Sequence, residues 1–371
     1  MHRNSKVDRE RVHSSQNEGI QPRQSQVSNL SPITRRRIQR FKSIKRGYYS
    51  LWILAFAIYL SFFAELLMNS RALAVRFEGA WYFPTFHFYS GRAFGEDYES
   101  EANYRELKKK FEVSGHNYVL LPPIPYNPYE NDFALQGNPP YAPDSRHLLG
   151  TDSSGRDVLV RLFYGFRIAI IFAILLTVSG YFIGTVIGAV MGYFGGWVDL
   201  LTQRAIEIWS TMPFLYLCII IASIFEPTFM ILLGILLLFS WINMTYYIRT
   251  EVYREKAKDY AVAAKSMGAG HLRIIMRHLL PNSLVPLVSY FPFSVVGGIY
   301  SLTALDFLGY GLPPPTPSWG DLLNQGLENA MNAPWITAAT FTALVVTLLL
   351  ITFIGEAVRE AFDPRQFSRY K

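Results

Sequence analysis

Residues 166–192 read FRIAIIFAILLTVSGYFIGTVIGAVMG. A helix that spans a bilayer needs about 20 predominantly apolar residues, so this run is long enough to cross a membrane. Its glycines recur every four residues and form one groove along a single helix face, where a neighbouring helix can approach closely. We favour this helix packing over a substrate path lined by bare backbone. The glycines are Gly180, Gly184, Gly188 and Gly192.

Similar apolar segments recur along the rest of the chain. The composition is 50% hydrophobic and only 17% charged, which is too apolar for an ordinary soluble enzyme. Together with the run at 166–192, these segments predict an all-α polytopic membrane protein with six transmembrane helices. The lone cysteine, Cys218, excludes a disulfide within the chain. The other five segments are 48–68, 208–225, 228–248, 284–305 and 336–356.

The segments between these runs suggest a division of the chain into regions. The apolar run at 48–68 is longer than the core of a signal peptide and is not followed by a small-residue cleavage pattern, so we expect a retained anchor. Its Glu65 is expected at the headgroup level. The regions are 1–47, a basic disordered cytoplasmic tail; 48–68, the first transmembrane helix; 69–161, a small irregular extracytoplasmic insertion; 162–356, a five-helix core that includes a cytoplasmic loop at 249–282; and 357–371, a cytoplasmic tail.

The charge distribution predicts the orientation in the membrane. The loop at 306–335 contains no Lys or Arg, whereas the loop at 249–282 is basic. Cytoplasmic loops carry the excess of basic residues, so both termini are expected in the cytoplasm. The net charge of +7 does not indicate nucleic-acid binding, because the basic residues are not interleaved with aromatic residues on one face.

The cytoplasmic loop from Asp259 to Pro281 has the pattern of two short helices. Asp259 is placed to cap the first helix, and Gly268 can supply a left-handed turn at its end. Ala263 and Ala264 give this helix a bare face. The second helix is expected to run to Pro281. It presents Ile274, Ile275 and His278 on one side and Arg273 and Arg277 on another.

The spacing of Ala263-Ala264, Gly268, His278 and Pro281 resembles the EAA loop of binding-protein-dependent ABC importer permeases. An ordinary amphipathic hairpin is the alternative interpretation. The usual acidic residue is replaced by Val262, which leaves open whether Asp259 takes its place. The resemblance implies coupling to a separate ATPase through a defined set of residues. These are Asp259, Ala263, Ala264, Gly268, Ile274, His278 and Pro281.

Other stretches resemble the oligopeptide and dipeptide (C-type) group of the same family. They are 150–157, 192–199 and 305–313. The first of them contains Asp152 and Asp157, for which we favour a structural turn that holds Arg156 at the interface over a cation site. The stretches 81–84 and 354–364 resemble a narrower branch that carries peptides and the peptide-nucleotide antibiotic microcin C.

The resemblance implies a permease subunit of a peptide importer in the bacterial inner membrane. The implied partners are a second homologous permease subunit, ABC ATPase subunits, an extracytoplasmic peptide-binding protein and the lipid bilayer. No cofactor is expected on this chain, and ATP and Mg would bind the ATPase. Thr303 and Asp306 are weak candidates for the substrate path, and Asp306 is more often a packing or loop-capping group.

Missing motifs narrow the possible functions further. The sequence has no Gly-x4-Gly-Lys-Ser/Thr phosphate loop, no His-Glu-x-x-His zinc pair and no Gly-x-Ser-x-Gly elbow, so neither an ATPase site of that type nor a membrane protease is indicated. The histidines are scattered, and no metal site is expected. An ion-driven secondary transporter is the alternative function, but it should place several ionisable groups at mid-membrane. A membrane-anchored scaffold would need only one or two spans.

Overall fold

The computed structural model describes residues 32–114, 117–132 and 137–362 of the 371-residue chain. These residues are mostly helical. The helices, numbered in chain order, are α1 Pro32–Ser43, α2 Lys45–Phe62, α3 Ala64–Leu67, α4 Tyr104–Ser114, α5 Val158–Phe194, α6 Gly196–Ser210, α7 Phe214–Ile224, α8 Phe229–Ser240, α9 Ile242–Lys256, α10 Asp259–Ser266, α11 His271–Arg273, α12 Leu280–Ser283, α13 Val285–Phe307, α14 Trp319–Glu328 and α15 Pro334–Phe362.

Three helices, α5, α13 and α15, are long and apolar enough to cross a membrane. Two bent pairs, α6 with α7 and α8 with α9, raise the number of candidate spans among the described residues to five if each pair counts as one span. The predicted span at 48–68 corresponds to α2, which is not among the candidates. Lys45 and Arg46 begin this helix and make it less apolar. The sixth span therefore stays a prediction.

Two of the predicted spans are broken in the structure. The pair α6 and α7 is bent by 70° where the chain passes Pro213, and proline disfavours helical backbone in the residue before it. The pair α8 and α9 is bent by 41° at Trp241. Each of the segments 208–225 and 228–248 was predicted as one helix. In the structure both segments are interrupted by a bend.

The N-terminal region differs from the predicted disordered tail. Residues 1–31 lie outside the described residues, but Pro32–Ser43 forms helix α1, so the prediction was wrong for that part. This helix packs on the end of α15, where Arg40 pairs with Glu360 at 2.6 Å. The predicted C-terminal tail begins inside α15, which continues to Phe362, and residues 363–371 lie outside the described part.

The insertion contains a small antiparallel sheet of β1 Ala74–Phe77, β2 Ala80–Tyr82 and β3 Tyr118–Leu120, in the order β2-β1-β3. The all-α description therefore does not extend to the insertion, where residues 75–84 have the sequence of short strands and turns and form the first strand pair. The sheet packs against α4 over a core that includes Val75, Phe94 and Leu107. The first strand pair is a tight hairpin because Glu78 and Gly79 adopt positive φ angles of 48° and 86°.

The glycine groove of α5 lies directly against α9. A Cβ atom built on Gly184 would stand 2.6 Å from the carbonyl oxygen of Trp241, and one on Gly188 would stand 2.5 Å from that of Thr245. Further along the groove, a Cβ atom on Gly192 would stand 2.8 Å from the Arg249 carbonyl oxygen. Only glycine permits such close backbone approach, so α5 and α9 pack backbone against backbone along this groove.

The bundle has two distinct ends. At one end, the start of α2 meets the end of α15, where Arg46 pairs with Glu356 at 3.2 Å. The connection from α9 to α13 lies at this same end, since Gly355 of α15 packs against Phe293 in the first half of α13. At the opposite end, the start of α5 meets α14 and the insertion, since Trp319 Nε1 donates to the Leu162 carbonyl oxygen and Arg161 donates to that of Pro128.

Candidate functional site

The segment 257–284, called the docking loop below, joins α9 to α13. Its first helix, α10, begins at Asp259, and Lys258 occupies the N-cap position without a side-chain cap. The prediction that Asp259 caps this helix was therefore wrong by one residue. The carboxylate still lies in the first turn, where a negative charge is favourable to the helix dipole. Gly268 follows with a φ of +78°, a left-handed conformation that favours glycine.

The second half of the docking loop is one helical stretch that continues past Pro281 to Ser283. Its middle part, Ile274–Leu279, is a π-helix. Proline has no N–H to donate and its ring clashes with the carbonyl four residues earlier in a regular helix, and the wider π turn just before Pro281 accommodates both. The prediction that this helix ends at Pro281 was therefore wrong.

The predicted coupling residues divide into buried and exposed groups. Ala264 and Ile274 are buried in the base of the loop, where they pack with Leu279 and Val252. His278 is half-buried, and Ala263 and Gly268 are exposed. Ala263 and Ala264 therefore do not form one bare face. Large apolar side chains are exposed on both arms of the loop; they are Val262, Met267, Leu272 and Met276.

A carboxylate that was not predicted from the sequence stabilises the first half of the docking loop. Glu255 is buried at the end of α9 and binds Nζ of Lys258 at 2.6 Å. The Tyr260 hydroxyl donates a hydrogen bond to the same carboxylate at 2.5 Å, and Asn282 contacts that hydroxyl at 3.3 Å. In the sequence this carboxylate is one acidic residue between Arg254 and Lys256, a pattern typical of a solvated helix end.

The docking loop is also attached to the end of α5. The Tyr193 hydroxyl lies 2.7 Å from Nδ1 of His271. Lys256 donates a hydrogen bond from Nζ to the carbonyl oxygen of Tyr193. The imidazole of His271 packs beside Phe194 with ring centroids 5.8 Å apart. The end of α9 and the second half of the loop therefore contact the same end of α5.

An ion pair connects α6 to α9 close to this attachment. Arg249 donates to the two carboxylate oxygens of Asp199 at 2.5 and 2.6 Å. The Tyr253 hydroxyl donates to the same carboxylate at 2.9 Å. Bidentate pairing fixes the relative orientation of both side chains. Asp199 ends one of the stretches that resemble C-type permeases. The sequence alone does not show that it pairs with Arg249, which lies 50 residues further along the chain.

A cavity of about 410 Å³ lies between α5, α8, α9 and α13. The Tyr181 hydroxyl and Ser294 Oγ form a hydrogen bond of 2.8 Å in its wall. Tyr247 and Tyr290 stack with ring centroids 4.4 Å apart. The lining contains no acidic or basic residue; it consists of Leu176, Thr177, Tyr181, Phe214, Leu236, Phe239, Ser240, Asn243, Met244, Tyr247, Tyr290, Phe293, Ser294, Gly297, Gly298 and Ser301.

The two residues proposed for the substrate path do not line this cavity. Asp306 is buried near the end of α13, where its carboxylate accepts hydrogen bonds from the Leu312 N–H at 2.7 Å and from Ser318 Oγ at 2.5 Å. Thr303 is also buried and packs against Gly320 of α14. The geometry of Asp306 is that of a group that holds the loop between α13 and α14.

The stretch 150–157 forms the turn that leads into α5. Asp152 accepts hydrogen bonds from the backbone N–H groups of Ser154 and Arg156 and from Nε of Arg156 at 2.8 Å. Asp157 caps α5 by accepting from the Val160 N–H at 2.9 Å. These carboxylates are therefore occupied by protein donors. Among the described residues, no group of three or more His, Cys, Asp or Glu side chains could hold a metal ion.

Buried His147 bridges two carboxylates in the same turn. Its ring nitrogens lie 2.8 Å from Asp157 and 3.3 Å from Asp132. Burial alone would lower the pKa of His147, but the two carboxylates outweigh burial and raise the pKa above its ordinary value of 6.5. This cluster could not be predicted from the sequence, since its members come from separate parts of the insertion.

Comparison with known proteins assigns the family. The model of the binding-protein-dependent transport system inner membrane component matches residues 184–368. The chain is 42% identical over 340 residues to the inner membrane ABC transporter permease protein YejE of Escherichia coli (strain K12), covering 92% of this chain and 99% of the relative.

Two further relatives have related names. The peptidoglycan transport system permease protein YejE of Agrobacterium fabrum is 39% identical over 92% of this chain and 95% of the relative. The dipeptide transport system permease protein DppC of Haemophilus influenzae is 34% identical over 67% of this chain and 79% of the relative. The chain therefore belongs to the family of binding-protein-dependent transport system inner membrane components, the permease subunits of ABC transporters.

Proposed function

We propose that this permease forms half of a path for peptides and peptide conjugates, and that the docking loop seats on a separate ATPase subunit. In this proposal the chain crosses the inner membrane six times, with both termini and the docking loop in the cytoplasm and the insertion outside. A second homologous permease subunit supplies the other half of the path, and an extracytoplasmic binding protein delivers the substrate. ATP and Mg bind the ATPase.

The observation that carries the proposal is the uncharged cavity between α5, α8, α9 and α13. Its hydroxyl, amide and aromatic groups suit a substrate whose backbone amides need hydrogen bonds while its side chains vary. Among the residues that the structure describes, no carboxylate lines the cavity, which disfavours an ion-driven secondary transporter that relies on ionisable groups within the membrane. Relatives that transport dipeptides and peptidoglycan, by their names, support the same substrate class.

The path is tested by filling the cavity. Gly297 lines it, and a Cβ atom built on this glycine meets nothing within 4 Å. Gly297→Leu is therefore expected to fold normally and to reduce peptide uptake at least tenfold, measured in reconstituted vesicles that contain the complete transporter. Gly234→Leu is the control, because Gly234 also has open space around it but does not line the cavity. Full uptake by Gly297→Leu would contradict the proposed path.

The docking role is tested at Gly268. Any side chain at this positive φ is strained, and a charge there would change the exposed surface of the loop. Gly268→Asp is expected to abolish substrate-stimulated ATP hydrolysis in the reconstituted complex while the protein still inserts in the membrane. Gly270→Asp carries the same charge at a φ of −66° and separates charge from backbone strain. Undiminished stimulation in Gly268→Asp would overturn the docking role.

A further inference from the structure

A long apolar groove runs along the outside of the bundle beside α1. One part, of about 570 Å³, lies between α1, α2 and α15. A second part, of about 600 Å³, continues along α5 and α13, and the two parts share Val288 and Val358. The groove shares Tyr181 with the cavity described above, and its other lining residues lie outside that cavity and outside the docking loop.

The groove is built from one face of each helix. α1 contributes Thr34, Arg37, Ile38, Phe41 and Lys42, which recur at the spacing of a single helix face. α2 contributes Tyr48, Leu51 and Trp52, and α15 contributes Val358, Ala361 and Phe362, each set again at helical spacing. Trp52 and Ile38 are 60% and 41% exposed, so the apolar floor is open to whatever surrounds the bundle.

The charge at the end of this groove is strongly positive. α1 carries five basic residues and no acidic one. Arg40 and the nearby Arg46 are neutralised by Glu360 and Glu356 of α15. In the part of the chain that the structure describes, Arg37 and Lys42 have no carboxylate partner, although both line the groove. Arg37 instead lies over the ring of Phe362, 4.4 Å from its centroid.

We propose that this groove binds an anionic phospholipid of the surrounding bilayer, with the headgroup phosphate at Arg37 and Lys42 and an acyl chain along the apolar floor toward Val288 and Val358. The ligand needs a negative head and a long apolar tail, because the site has basic groups at one end and almost no polar surface beyond them. A zwitterionic phospholipid satisfies the apolar part but not the positive charge of Arg37 and Lys42. Basic clusters beside membrane helices select anionic lipids for this reason.

The site also adjoins the docking loop. Val288 lies in the first turn of α13, directly after the helical stretch that ends at Ser283. A bound acyl chain would therefore contact the helix through which the docking loop joins the bundle.

Native mass spectrometry of the complete transporter in detergent tests the proposal, with titration of phosphatidylglycerol and, separately, phosphatidylcholine. We expect one tightly bound phosphatidylglycerol and no comparable phosphatidylcholine. Replacing both groove residues, Arg37→Gln with Lys42→Gln, should lower phosphatidylglycerol affinity about thirtyfold, since each basic residue near an anionic lipid contributes about fivefold. The matched control, Arg35→Gln with Arg36→Gln, removes the same charge from exposed positions outside the groove and should change affinity less than threefold.

A second variant tests the apolar part independently of charge. Val358→Trp should fill the shared section of the groove and lower phosphatidylglycerol affinity while all basic residues remain. Equal binding of both lipids, or equal losses in the two charge variants, would overturn the proposal. A third outcome would also overturn the proposal: the complete transporter carries no bound lipid, and the partner subunit cross-links to Trp52. The groove would then be a contact between subunits.

Discussion

The Tyr193 hydroxyl lies 2.7 Å from Nδ1 of His271, and this contact joins the last turn of α5 to the second half of the docking loop. The two residues are 78 positions apart in the chain. Lys256, the last residue of α9, contacts the same tyrosine: its Nζ donates to the Tyr193 carbonyl oxygen and lies over the Tyr193 ring. The orientation of the docking loop is therefore set by the end of a membrane helix.

Removing this hydroxyl should weaken coupling without disrupting the bundle. Tyr193→Phe keeps the aromatic packing and loses one hydrogen bond, worth roughly 0.5–1.5 kcal/mol. We expect a several-fold reduction in substrate-stimulated ATP hydrolysis in the reconstituted transporter and an unchanged amount of inserted protein. His271→Ala combined with Tyr193→Phe should be little worse than His271→Ala alone. Strictly additive effects would show that the two side chains act separately.

The glycine groove makes a clear prediction about stability. Gly188→Ala places a Cβ atom 2.5 Å from the Thr245 carbonyl oxygen, so α5 and α9 must move apart. Overpacking of this kind costs about 1–3 kcal/mol and should lower the thermal transition of the purified protein by several degrees. Gly234→Ala in α8 is the control, because its Cβ would meet nothing within 4 Å. That change should be neutral or slightly stabilising, and a matching loss there would refute the packing argument.

The cluster around His147 should make stability depend on pH. The folded pKa of His147 is raised, so its contribution is fully present below the ordinary value of 6.5 and is lost as pH rises through the folded pKa. Thermal stability should therefore fall above about pH 6.5. His147→Gln should be less stable at low pH and lack this slope. Exposed His87→Gln should retain the wild-type profile, and a similar flattening there would exclude His147 as the origin.

Replacing the carboxylate of Asp306 distinguishes a structural role of this residue from a role in substrate binding. Asp306→Asn keeps the shape of the side chain but loses one of two acceptors that hold Leu312 and Ser318. We expect a loss of about 1–3 kcal/mol of stability and an unchanged KM for peptide uptake. Uptake assays and thermal unfolding of the same preparation provide the comparison. A raised KM with normal stability would return Asp306 to the substrate path.

The apolar runs predicted the long helices α5, α13 and α15 well, since length and hydropathy alone determine whether a helix can span. The same runs did not predict the bend at Trp241, because an average hydropathy contains no information on direction. Gly268 was predictable, as a single residue sets the turn. Glu255 was not, because its role depends on contacts with Lys258 and Tyr260 that exist only after the loop has folded.

The length of α5 has a mechanical consequence. Its 37 residues make a rod of about 55 Å, well beyond the apolar thickness of about 30 Å. One end carries the Asp157 cap and the other carries Tyr193, so a single rigid element connects the insertion to the docking loop. Tilting such a rod by about 5° displaces its far end by about 5 Å. A displacement of the docking loop is therefore transmitted along α5 to the turn that precedes Asp157.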